Sequence, residues 1–208
     1  MSAEPRSVKG RPRAFDEDDA LDRATEVFWR LGFEGASMAE LTQAMGINKP
    51  SLYQAFGSKE ELFVRALQRY RLSYFDRLTT LLAQPTAYGI VESYLRATAN
   101  AVRAGAVPGC LSIQGGLSCA PTNARIPEML AQYRHGIEDA IAAALASCED
   151  AEAGIDTAAL AGYAVTIGQG LAVDAAGGAS QPRLDAVVDV ALAGLAKLLA
   201  PQSERRGR

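Results

Sequence analysis

Apolar residues recur three and four apart along most of the chain, and alternation in steps of two never persists, so the pattern predicts helices without a sheet. Leu21, Ala24, Phe28 and Leu31 mark a first helix that begins after Asp16. It should end at Gly32, because a helix closes most readily on a left-handed residue. A second helix opens at Ser37. The Ser37 hydroxyl and the Glu40 carboxylate can each satisfy the other residue's backbone N–H, and Gly46 ends the run. Asn48 caps a short third helix with Pro50 in its first turn, where a missing N–H does no harm. Leu52 and Phe56, four apart, form its inner face. Ser58 and Glu61 repeat the capping box and start a longer fourth helix, which Gln84-Pro85 closes at about residue 82.

Five further helices follow. The fifth runs over about 88–104, with Tyr94, Leu95, Thr98 and Val102 at helical spacing, until "GAVPGC" breaks it. A short sixth covers 111–117. The seventh, about 126–148, carries the stripe Leu130, Tyr133, Ile137, Ile141 and Leu145. The last two, about 156–175 and 184–199, are poor in charge and rich in Ala and Gly. On the final helix Leu184, Val188, Ala191, Leu195 and Leu198 cover one face, while Val187, Leu192 and Leu199 widen the stripe toward a second. A helix apolar on more than one face needs more than one partner. Packing of the last two helices against a second copy of the chain would meet that need, with Val187, Leu192, Leu195 and Leu199 expected in the interface. The fold class is therefore all-α.

Charge changes the picture by its distribution. The whole chain of 208 residues has a formal net charge of −3. Asp16, Glu17, Asp18, Asp19, Asp22, Glu26, Glu34 and Glu40 face only Arg23 and Arg30 in the same stretch, whereas Arg6, Lys9, Arg11 and Arg13 face Glu4 alone in the first 15 residues. From Leu41 through Lys59 there is no acidic residue. A helix entering the major groove passes between phosphates, which repel carboxylates on its outer face, and small residues let its backbone approach base edges. The first three helices, the last two joined by a tight turn at Gly46, thus form a helix-turn-helix unit whose third helix reads DNA.

The same composition excludes several functions. No apolar run reaches the roughly 18 residues of a membrane span and the N-terminus lacks a signal-peptide core, which predicts a cytoplasmic protein with no membrane partner. Cys110, Cys119 and Cys148 lack CxxC spacing and His135 is the single histidine, so neither a disulfide framework, a metal site nor a cofactor is expected. One histidine and no Gly-rich phosphate loop leave little acid–base machinery, so no catalytic residue is assigned. A non-specific DNA-packaging protein would be basic throughout, and this chain is acidic outside its contact surface.

From about Phe15 to Phe63 the chain resembles the DNA-binding domain of the TetR family of transcriptional regulators. "SLYQAFGSKEELF" is similar to the family stretch LYxxFxxKExLF, with Leu52, Tyr53, Phe56, Lys59, Glu60, Leu62 and Phe63 in register. The resemblance implies a homodimer on a palindromic double-stranded DNA operator, with a divergent C-terminal domain that binds a small molecule and releases the DNA. By position it implies that Lys49, Pro50 and Ser51 face bases, that Tyr53 and Gln54 contact phosphate and neighbouring base edges, and that Ser37 meets a phosphate. Lys59 would hold the backbone. Many relatives place an aromatic residue or histidine where Gln54 and Ala55 stand, which implies fewer phosphate contacts from this helix. The arm "KGRPR" can compensate by sliding Arg11 and Arg13 into a narrow minor groove. The expected organisation is a basic arm over 1–14, a DNA-binding domain over 15–62, an effector and dimerisation domain over 63–200 and a polar tail over 201–208.

Between the fourth and eighth helices, Tyr70, Tyr74, Tyr94, Gln114, Tyr133, Tyr163 and Gln169 offer polar tips on apolar bodies, the lining a pocket for a small, mostly apolar, neutral effector requires. The segment "PGCLSIQGGLSC" offers another trigger: its Gly-Cys-Leu resembles a subgroup of TetR-like proteins in which such a cysteine senses oxidants or electrophiles. At a helix N-terminus the Cys110 thiol would be activated. The competing reading is a small buried residue in a tight turn. Arg65, Arg69 and Arg71 on the fourth helix read as a solvated face.

Overall fold

The computed structural model describes residues 15–104, 107–116, 119–150 and 156–200, with the Ser73 side chain set aside. The arm with Arg11 and Arg13, Leu117 and the tail over 201–208 lie outside the described residues. Among those described there are nine α-helices and no strand: α1 (Glu17–Gly35), α2 (Met38–Met45), α3 (Lys49–Phe56), α4 (Lys59–Leu82), α5 (Ala87–Ala104), α6 (Leu111–Gln114), α7 (Arg125–Ala146), α8 (Thr157–Ala176) and α9 (Gln181–Leu199). A single 3-10 turn, Pro121–Asn123, precedes α7.

Side chains a few residues away start each of the first four helices. Asp16 accepts from the N–H groups of Asp18 and Asp19 at 2.8 and 3.2 Å. Both expected capping boxes form, Ser37 with Glu40 and Ser58 with Glu61, and Asn48 accepts from Ser51 N–H at 2.9 Å. Each cap satisfies orphan donors worth about 1 kcal/mol. Within α1 the backbone leaves helical geometry at Gly32, with φ 71° and ψ 172°. Phe33 N–H there donates to Gly115 O at 2.8 Å, and a Cβ on Gly32 would stand 3.1 Å from the Gln114 carbonyl oxygen. Conformation and space both require glycine.

Two apolar clusters organise the molecule. In one, Phe28, Phe33, Leu41, Leu52, Phe56 and Phe63 pack the first four helices together, with Leu111, Ile126 and Leu130 added from α6 and α7. Phe63 stands edge-on to Phe28 and Phe33, at centroid distances of 5.0 and 5.4 Å. The other joins α5, α7, α8 and α9. Tyr70 of α4 packs against both.

Three expectations change here. The sixth helix is one turn long and ends at Gln114, because Gly115 and Gly116 follow it. Arg65 and Arg69 are ion-paired rather than simply solvated: Arg65 meets Glu17 at 3.3 Å, and Arg69 meets Asp18 at 3.1 Å and also Asp22. The acidic start of α1 thus answers the basic face of α4. Arg71 lies over the Phe75 and Tyr133 rings. On α9, Leu192 and Leu195 are buried in the subunit's own core with Leu184, Val188 and Ala191, since α9 packs on α5 and α8 through that face. They are not free to form an interface, and Leu199 is half-buried against the same core. The outward face instead carries Val187, Val190, Gly194 and Leu198, and that of α8 carries Ala159, Tyr163, Thr166, Gly170 and Val173.

Candidate nucleic-acid interface and interior pocket

α3 is anchored by Leu52 and Phe56, both buried, which turns the rest of its circumference outward. Lys49, Pro50, Tyr53 and Gln54 are exposed and Ser51 is half-buried. Tyr53 is 47% exposed, high for an aromatic ring in a folded head, and the Lys49 Nζ stands 5.9 Å from its centroid. The pair is a cation over a flat apolar ring on a surface without a carboxylate of its own. Behind it, Arg65 lies 4.6 Å over the Phe56 ring and donates to the Ala55 carbonyl at 2.9 Å, fixing the inner side of α3 to α4.

Ser37 is exposed at the head of α2, with its Oγ accepting from Glu40 N–H at 3.1 Å and its hydroxyl hydrogen-bonded to the Glu40 carboxylate. Lys59 is more tethered than a backbone-gripping lysine needs to be. Its Nζ stands 4.6 Å over the Phe33 ring, and burial holds its pKa below the ordinary lysine value while Glu34 and Glu40 pull the other way. Its cation is held in one place at the start of α4.

Inside the body, helices α1, α4, α5, α7 and α8 with the turn before α6 enclose a cavity of about 300 Å³. Of the residues expected to line it, Tyr70, Tyr74, Tyr94, Cys110, Tyr133 and Gln169 do so. Tyr163 does not: it lies two residues before Val165, about 200° round the α8 axis, so that Val165 lines the cavity while Tyr163 is exposed and donates to the Ala191 carbonyl at 3.3 Å. Gln114 is also outside the wall, because its Oε1 accepts from the Trp29 indole at 3.0 Å. That oxygen occupies the place a Cβ on Gly109 would take, 2.2 Å away, so Gly109 at φ 100° has no substitute.

Trp29, Arg77, Thr98, Ser112, Arg134 and Gly168 also line the cavity, although none of them is among the lining residues expected from the sequence. Trp29 is hidden from sequence reasoning because its helix belongs to the head. Its ring stands edge-on to Tyr70, 5.2 Å between centroids, and reaches the body from there. Arg134 adjoins Tyr133 in the chain, a signal available in principle, and its guanidinium donates to the Ser112 carbonyl. Gly168 makes room for Tyr94, whose Oη would meet a Cβ at 2.9 Å.

The hydroxyls form a web. Tyr74, Tyr94 and Thr98 are hydrogen-bonded together. Tyr70 Oη stands 3.3 Å from Cys110 Sγ, which stands 3.1 Å from Ser112 Oγ. Tyr133 Oη is buried without a hydrogen-bond partner. Burial pushes all four phenols up, Tyr74 to about 12, so each is a neutral donor at physiological pH. Burial also raises the Cys119 and Cys148 thiols, neither of which faces the cavity. His135 is exposed on α7, and no described group of His, Cys, Asp and Glu side chains has the grouping of a metal site. No described helix is long and apolar enough to cross a membrane.

Residues 20–66 match the family model of bacterial regulatory proteins, tetR family. Over 183 residues the chain is 31% identical to the HTH-type transcriptional repressor ComR of Escherichia coli, covering 85% of this chain and 87% of that one. It is 36% identical over 136 residues to the HTH-type transcriptional repressor BdcR of the same organism, covering 64% of this chain and 68% of BdcR. Among solved structures, a cysteine mutant of the TetR family transcriptional regulator CifR, complexed with 26-bp double-strand operator DNA, superposes with a TM-score of 0.83 at 38% identity over 88% of this chain and 98% of CifR.

Proposed function

Since the chain belongs to the tetR family of bacterial regulatory proteins, which are DNA-binding transcriptional regulators, we propose that it is a homodimeric repressor released from a palindromic operator by a small molecule in its interior cavity. The observation that carries this reading is the outward face of α3: Lys49, Pro50, Tyr53 and Gln54 project from a head whose inner face is locked by Leu52, Phe56 and Arg65, on a stretch without acid. Ser51 faces bases beside Lys49 and Pro50, Ser37 and Lys59 supply the flanking contacts, and Arg11 and Arg13 the minor-groove arm. Dimerisation is supported by the outward stripes of α8 and α9. At Gly170 and Gly194 a Cβ would meet nothing within 4 Å in the subunit, yet glycine within a helix costs about 0.5–1 kcal/mol relative to alanine. Close approach of a second backbone accounts for both. The protein acts by binding, without catalysis, in the cytoplasm.

The test compares duplexes from the DNA flanking its own gene with random duplexes at fixed salt. Preference for one flanking site of two-fold symmetry, at two subunits per site, is the expected result. Equal binding to both would overturn the reading and favour a packaging protein.

One observation favours a second trigger. Cys110 Sγ faces the same cavity, between the Tyr70 and Ser112 hydroxyls. An electrophile that enters can alkylate this sulfur, the thiol proton leaving to solvent or to the adduct. Release of operator by N-ethylmaleimide from the native protein but not from Cys110→Ser supports the thiol trigger; equal release from both discards it.

A further inference from the structure

The hydroxyls around the cavity are not equivalent. Tyr74 and Tyr94 are bonded to one another and to Thr98, and Tyr70 is bonded to Cys110. Tyr133 alone among these four tyrosines keeps a buried Oη with no partner, although its residue is only 3% exposed. Packing does not explain the oxygen. The Tyr70, Tyr74 and Phe75 rings surround Tyr133 at 6.0–6.1 Å, and a phenylalanine would fill the same collar without leaving a desolvated donor unmet.

Charge narrows what the donor waits for. No described lining residue of the cavity is acidic, and Asp76 stands only in the adjoining groove beside α5. A cation would enter without a carboxylate to pair with and would have the aromatic rings alone to offset its desolvation. A full anion needs several converging donors, and of the two arginines in the lining Arg134 already gives one N–H to the Ser112 carbonyl while Arg77 stands on the exposed rim. At about 300 Å³ the cavity lies at the small end of ligand pockets, which favours a small molecule.

We propose that the cavity takes a small uncharged molecule with a ring-sized apolar body and one acceptor oxygen, such as a ketone, ester or ether, and that the Tyr133 hydroxyl donates to that oxygen. Tyr133 is thereby the residue that sets polarity specificity, and the proposal rests on the reading of this cavity as the effector site.

The experiment uses the full-length protein and four probes of like size: acetophenone, ethylbenzene, benzoate and benzylammonium. Affinity is measured by calorimetry. Because Trp29 is the single tryptophan and lines the cavity, the fluorine NMR signal of fluorotryptophan incorporated there reports occupancy. Acetophenone should bind roughly three- to tenfold more tightly than ethylbenzene, the worth of one net hydrogen bond, and both ions should bind more weakly. In Tyr133→Phe, which removes one atom and keeps the ring, the two neutral probes should become equal. Equal binding in the wild type, a preference that survives Tyr133→Phe, or an ion as the tightest probe overturns the proposal. If the Trp29 signal shifts in those cases, the cavity still binds ligands and only the class is wrong. If no probe moves it, the effector-site reading falls as well.

Discussion

The indole N–H of Trp29 donates to Oε1 of Gln114 at 3.0 Å, joining residues 85 apart in the chain. Trp29 is on α1, in the head that carries the reading helix, and Gln114 ends α6, the turn that follows Cys110. The same indole stacks edge-on against Tyr70 and forms part of the cavity wall. The cavity wall therefore includes a residue of the head itself. Beside this bond, Phe33 N–H donates to Gly115 O at 2.8 Å, so the segment after α6 is fixed to both sides of the Gly32 break.

Trp29→Phe keeps a ring against Tyr70 and leaves the Gln114 oxygen unmet. It should lower the unfolding free energy by about 1 kcal/mol, and a double-mutant cycle with Gln114→Leu should return a coupling of similar size. Urea unfolding of the four proteins is the measurement; additivity would show that the bond contributes nothing.

Two lysines of the head should behave differently on DNA. Lys49→Ala should weaken operator binding by about 1–3 kcal/mol and relax preference at one base pair in each half-site. Lys59→Ala should weaken operator and random DNA by similar factors and flatten the log–log salt slope by about one unit for each phosphate left without its cation. Removing its ammonium from the Phe33 ring should also cost about 0.5–1 kcal/mol of stability. Salt titrations on specific and random duplexes, with melting curves alongside, decide the assignment.

Two substitutions on α9 should separate the interface from the core. Val190 is 75% exposed, so Val190→Glu should yield a folded monomer in sedimentation equilibrium at micromolar concentration. Leu195 is 2% exposed and should lose about 2–5 kcal/mol of subunit stability on Leu195→Ala. A dimer in the first case would place the interface elsewhere.

Alkaline pH should unfold the body through its tyrosines. Tyr74 is raised by burial from 10.0 to about 12 in the folded protein. A raised folded pKa means that its contribution is fully present below the unfolded value of 10.0 and fades as the pH rises toward about 12. Urea midpoints should fall as the pH rises above 10, less steeply in Tyr74→Phe. Absorbance titration of the phenolates is the independent check.

How much of this is legible in the chain follows from the range of each interaction. The two capping boxes span three residues and are readable, as is the break at Gly32. Charge segregation exposes the reading helix for the same local reason. What the sequence hides depends on which face meets which neighbour. On α9 apolar residues encircle the axis, so the pattern alone does not tell that Leu192 and Leu195 face α5 and α8 while Val190 and Leu198 face out. Tyr163 and Tyr133 look alike as residues, and helical phase against distant elements sends one outward and the other to the cavity. Trp29 escapes a local reading because its partners lie 41 and 85 positions away.

The pairing of Arg65 and Arg69 with Glu17, Asp18 and Asp22 has a kinetic meaning. These arginines cannot draw the flank of the head toward phosphate, because their field is cancelled at short range, and the surplus acid of α1 repels it. The single charge on α3 is Lys49, which has no ion pair among the described residues. If α3 is the face that meets the double helix, an encounter is subject to a torque: a molecule arriving flank-first should be turned or pushed away, and one arriving face-first retained. Orientation would then be selected before any base is read, and the arrival rate, more than the residence time, should answer to ionic strength.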